Sequence, residues 1–77
     1  MPKLPVVSGQ DFVRVLTKAD FEVHHQKGSH IILKQTVSPF GRLSVPNHKE
    51  LKRGLLLSLL RDAGITREQF VQLLEGL

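Results

Sequence analysis

Apolar residues recur along this chain with two different periods, and the changes of period mark out its elements. Phe12, Val15, Leu16 and Ala19 fall on one face at helical spacing. Ser8 stands ahead of them, able to accept from the free amides of a first turn, and Asp11 follows three residues later, as in a capping box. Asp20 closes this first helix. The period then shortens towards two. Phe21 to Gln26 alternates imperfectly, Lys27-Gly28-Ser29 supplies a turn, and His30 to Lys34 is rich in β-branched residues. Gln35 to Gly41 contains Ser38, Pro39 and Gly41 and reads as a loop. Arg42 to Val45 alternates strictly until Pro46, which has no amide to offer a ladder.

Helical spacing returns after a connector from Asn47 to Leu51. Leu55, Leu56, Leu59, Leu60 and Ala63 form the stripe of a helix from about Lys52 to Ala63, and Gly64 is placed to end it in a left-handed turn. Thr66 to Gln69 forms a capping box for a short third helix carrying Phe70, Leu73 and Leu74. The order α-β-β-β-α plus a short C-terminal helix predicts an α+β fold, a three-stranded antiparallel sheet with helices on one face. Period two places Phe21, Val23, Ile31, Leu33, Leu43 and Val45 towards the helices. It places Glu22, His24, Gln26, His30, Ile32, Lys34, Arg42 and Ser44 on the uncovered face.

The chain has 77 residues, enough for one domain over 1–77, with the motifs inside about 8–65. A chain this short buries only about 60–65% of the surface its unfolded form exposes, so its stability is modest. With no cysteine, it has no disulfide to supplement the core, which suits a reducing compartment. Residues 1 to 7 carry Lys3 and two prolines with no sustained apolar run after them, so no leader is expected. No stretch approaches the roughly 20 apolar residues of a membrane span.

Charge changes the picture more than size does. The net charge is +4. Lys27, Lys34, Arg42, Lys49, Lys52, Arg53 and Arg61 fall between Val23 and Arg61 against Glu50 alone, and the rest of the chain is mildly acidic. Such a block fits either a polyanionic partner or a plain solvated surface. Tyrosine and tryptophan are absent, which favours contact with RNA shape and phosphate over base stacking.

His30 is the candidate catalytic residue. It follows a Gly-Ser turn at the first position of a strand, and imidazole can take or give a proton near neutrality. Lys27 or Lys34 can stabilise charge developing on a phosphate, and the amides about Gly28-Ser29 can contact its oxygens. The plainer reading is an ordinary strand-surface histidine. His24 and His25 are expected to point to opposite faces of their strand, so at most one shares a surface with His30. His24 is expected there as an RNA contact, and His25 is expected to be partly buried with a local partner. Glu22, His24 and His30 show no recognised metal-ligand spacing, and no metal is expected. His48, Lys49, Lys52 and Arg53 surround the start of the second long helix, where free amides attract anions.

Taken together, Lys27-Gly28-Ser29-His30, Val45-Pro46 followed by His48, and Lys52, Gly54 and the Leu-rich helix ending Ala63-Gly64-Ile65 resemble the HicA toxin family, also called YcfA-like. The resemblance runs over about residues 8 to 65. It implies a double-stranded-RNA-binding-domain-like fold and a cofactor-free mRNA interferase that inhibits translation, with His30 as the essential histidine. It also implies a HicB-type antitoxin partner, forming a hetero-oligomer with an otherwise monomeric toxin, and a cytoplasmic setting. The chain departs from the family in having Ala19-Asp20 where a glycine is usual, and in a long loop from Gln35 to Gly41. The rival readings are a non-catalytic RNA-binding module of the same fold and a protein-interaction domain.

Overall fold

In the computed structural model, which describes residues 4–77, the first helix is fastened at both ends. Lys3, part of the N-terminal stretch read above for a leader, lies outside the described residues. Helix α1 spans Gly9–Thr17. The Ser8 hydroxyl accepts from the Asp11 amide at 3.0 Å, and the Asp11 carboxylate accepts from the Ser8 amide, which completes the capping box. Gly9 donates its amide to the His48 carbonyl at 2.8 Å. A Cβ at Gly9 would lie 2.1 Å from the Pro46 carbonyl oxygen, so this close approach of helix to strand requires glycine. At the other end Asp20 takes a left-handed φ of 65°. Its carbonyl accepts from the Thr36 amide at 2.7 Å and the Thr36 hydroxyl at 3.1 Å.

The strands are β1 (Phe21–Lys27), β2 (His30–Gln35) and β3 (Arg42–Pro46), antiparallel in the order β1-β2-β3. Phe21, Ile31, Leu33, Leu43 and Val45 are buried on the helix side, as the alternation predicts. The alternation fails in β1. Its register with β2 shifts between Val23 and His25, a β-bulge in which His24 is the extra residue. Beyond it His25 pairs with Ile32, Gln26 with Ile31 and Lys27 with His30. Directly opposed residues share a face, so the bulge inverts the assignment of everything after it.

Three expectations are corrected accordingly. His25 joins the open face and is exposed, not partly buried. Gln26 shares the side of Ile31 and not the open face, yet it is exposed because only Phe21 of β1 lies under the helices. Val23 does face the side of Leu33, but it is 49% exposed for the same reason: the hairpin overhangs the helical layer.

Helix α2 (Arg53–Ala63) buries Leu56, Leu59, Leu60 and Ala63. Leu55, expected in that stripe, is on the margin at 36% exposure. Gly64 ends α2 at φ 72°, and the Ile65 amide donates back to the Leu60 carbonyl at 3.0 Å. Helix α3 (Arg67–Glu75) starts at a Thr66–Gln69 capping box and inserts Phe70, fully buried, with its ring centroid 5.7 Å from that of Phe12. The buried side chains of all three helices and the inner sheet face form a single cluster, leaving the other face of the sheet open. Among the described residues no helix is long and apolar enough to cross a membrane.

Candidate active site on the open sheet face

Gly28 and Ser29 alone make the loop of the β1–β2 hairpin. Gly28 is the first loop residue and takes φ 59°, the left-handed value such a tight turn needs at that position. The short loop sets the register at the mouth of the hairpin, so that Lys27 stands directly opposite His30. On the other side His30 faces Pro46, and the Asn47 amide donates to the Ser29 carbonyl at 2.6 Å. The turn is thus held by β3 as well as by its own strands. The His30 Nδ1 shares a hydrogen bond of 3.3 Å with the Ser44 hydroxyl, its diagonal neighbour. This engages one ring nitrogen and leaves Nε2 for a ligand. His30, Lys27 and Ser44 are all exposed.

At the far end of the same face Lys34 stands directly opposite Arg42 on β3 and opposite Glu22 on β1. Lys34 is four residues from His30, about 13 Å along the strand. Lys27 is therefore the cation beside the histidine, and Lys34 and Arg42 form a separate positive area. His24 lies at that end. Its pKa is lowered from the ordinary 6.5, chiefly by the positive charge of Lys34, with partial desolvation, His25 and Arg42 adding and Glu22 opposing. His24 Nδ1 and His25 Nδ1 lie 2.6 Å apart in a hydrogen bond. Consecutive residues of a regular strand point to opposite faces and could not meet in this way.

The third group gathers elsewhere. The connector after β3 turns past the start of α1, where Ser8, Gln10, Asn47, His48 and Lys49 line a cleft of about 290 Å³. Lys52 is the N-cap of α2 and makes no side-chain cap bond, and Arg53 is the first helical residue. His48, Lys49, Lys52 and Arg53 are exposed. The hydrogen bond from Asn47 to Ser29 joins this connector to the hairpin mouth, but no described contact brings the four side chains onto the sheet face with His30. Among the described residues no three histidines or carboxylates gather closely enough to hold a metal ion.

Sequence reasoning missed Ser44 as a partner of His30 and His25 as a member of this face. Ser44 was legible as outward-facing, but its pairing needed the β2–β3 register. Nothing in the local sequence marks the bulge.

The fold and the site define a small, basic α+β protein with a histidine at the mouth of a two-residue hairpin on an uncovered sheet. A model of the HicA toxin of bacterial toxin–antitoxin matches residues 9–65. The chain belongs to the HicA toxin family. The match covers every element from α1 to α2 and every candidate residue named above, and α3 lies beyond it. No curated protein and no solved structure matches the chain.

Proposed function

We propose that this family member is an RNA endonuclease, an mRNA interferase that inhibits translation by cutting messages. The observation that carries the reading is His30, held at the hairpin mouth directly opposite Lys27, with Ser44 on its Nδ1. Imidazole in that position can take the proton from a 2′-hydroxyl or give one to the departing oxygen, and Lys27 can stabilise charge developing on the phosphate. The turn amides of Gly28 and Ser29 supply further donors. Lys34, Arg42 and His24 bind phosphates further along the strand, and His48, Lys49, Lys52 and Arg53 form a second docking area. The chemistry requires no cofactor. The protein works as a monomer in the cytoplasm until a HicB-type antitoxin covers it.

The test is incubation of the purified protein and of its His30→Ala variant with a long RNA in EDTA. Cleavage by the wild type alone is expected. Intact RNA with a folded wild type would reject the nuclease. Equal cleavage by both would reject His30 as its catalytic group. A non-catalytic RNA-binding module would account for the opposed Lys34 and Arg42, with salt-sensitive binding and no products. It gives no reason for a histidine fixed against Ser44 beside Lys27. A protein-interaction domain would show negligible RNA affinity at low salt.

A further inference from the structure

Cleavage of RNA by its own 2′-hydroxyl moves two protons. The 2′-oxygen loses one as it bonds to phosphorus, and the 5′-oxygen gains one as its bond to phosphorus breaks. The products are a 2′,3′-cyclic phosphate and a 5′-hydroxyl end, with no oxidant or outside nucleophile consumed. One histidine can serve either transfer, but a second proton carrier on the other side of the phosphate lets both proceed in one event.

The bulge in β1 provides such a carrier. His25 is opposite Ile32, two residues along β2 from His30 on the same face. His25 and His30 are therefore diagonal neighbours, with a separation of about 7–8 Å, within reach of two imidazoles that flank one phosphate. Lys27 lies on the same face of β1, directly opposite His30 and two residues along the strand from His25. The register thus places two imidazoles at diagonal positions, and a cation opposite one of them, within reach of one phosphate. His25 is exposed, so a backbone of RNA laid on the sheet can reach it.

The bond to His24 fixes the orientation of the His25 ring. A neutral His24 can accept through Nδ1, in which case His25 donates from its own Nδ1 and keeps Nε2 free. The groups facing this pair are Glu22 and Lys27 on β1, His30 and Lys34 on β2, and Arg42 on β3. Lys34 and Arg42 both disfavour the doubly protonated His24 ring, which favours the neutral ring that is able to accept through Nδ1.

We infer that His25 is the second catalytic histidine, the general acid that protonates the leaving 5′-oxygen, with His30 as the base and His24 as the residue that positions His25. The inference rests on the nuclease reading above. Position 25 thereby acquires a catalytic role that strand alternation would deny it.

The experiment uses the full chain, its His25→Gln and His30→Ala variants, and a short RNA containing a site the wild type cuts. A second RNA carries sulfur in place of the bridging 5′-oxygen at that site, since a thiolate departs without a proton. His25→Gln is expected to slow the ordinary RNA by about 10²-fold or more and to cut the sulfur-bridged RNA near the wild-type rate. His30→Ala is expected to fail on both. In kcat/KM against pH the wild type gives a bell, and His25→Gln loses its alkaline limb. Equal slowing of His25→Gln on both RNAs, or recovery by His25→Arg, would show a binding role and overturn the inference. A wild-type rate for His25→Gln on ordinary RNA would overturn it too. A wild type that cuts neither RNA would remove the nuclease itself, and the inference with it.

Discussion

Lys34 of β2 and Arg42 of β3 stand directly opposite one another on an open sheet face, two cations where a fold chosen for stability alone would place partners of opposite sign. Such a pair costs roughly 0.2–1 kcal/mol in a ladder. Lys34→Thr keeps a strand-forming residue and removes the repulsion. Since the attraction to Glu22 on β1 is lost with it, stability is expected to stay within about 0.5 kcal/mol of the wild type in urea unfolding while RNA binding weakens. The slope of log K against log salt should fall by about one unit. A variant that binds RNA as tightly as the wild type at every salt concentration would take Lys34 out of the interface.

The same cation governs His24. Its pKa lies below the ordinary 6.5, with Lys34 the largest cause. An NMR titration of the imidazole should show this, and Lys34→Thr should move His24 back upward. The sign for stability follows: the unfolded chain takes up the His24 proton more readily than the folded one. The contribution is fully present above pH 6.5 and is lost as pH falls from there through the lowered folded value. A His24 that titrates at or above 6.5 in the folded wild type would contradict the placement of its ring beside Lys34.

Asp20 occupies a left-handed conformation at φ 65°, where a side chain costs something and glycine does not. Aspartate is among the residues that tolerate it best. Asp20→Gly is therefore expected to leave stability level or raise it by up to about 1 kcal/mol. Asp20→Val, branched at Cβ, should cost about 1–3 kcal/mol. Urea denaturation of the three proteins checks both. Val tolerated at no cost would mean that the turn is not left-handed.

Phe70 lies outside the family match, yet it is fully buried and its ring packs on that of Phe12. Phe70→Ala should cost about 3–5 kcal/mol, most of what a chain this size has, and so abolish a cooperative thermal transition near room temperature. His30→Ala, on an exposed residue, should stay within about 0.5 kcal/mol of the wild type. A cooperative melt for Phe70→Ala close to the wild-type temperature would show that α3 packs loosely.

Most of the architecture was legible in the order of the residues, because it depends on local periodicity and on residues with one strong conformational preference. The two capping boxes, Gly64 in its left-handed turn, the Gly28-Ser29 hairpin and the buried set of β2 and β3 all follow from neighbours within a few positions. The placement of His30 beside Lys27 follows in the same way, since a two-residue loop leaves only one register at its mouth.

What local pattern did not carry was β1. Alternation is a statement about a regular strand, and one extra residue at His24 inverts it for His25, Gln26 and Lys27. The exposure of Val23 likewise depends on how far the helices reach over the sheet, a property of packing between elements remote in sequence. The residues that can do chemistry were therefore readable as a list. The grouping of His30 with Ser44 and His25, and of Lys34 with Arg42 and His24, came from strand register, because only pairing across strands brings side chains such as those 14, 5 or 8 positions apart into reach of one another.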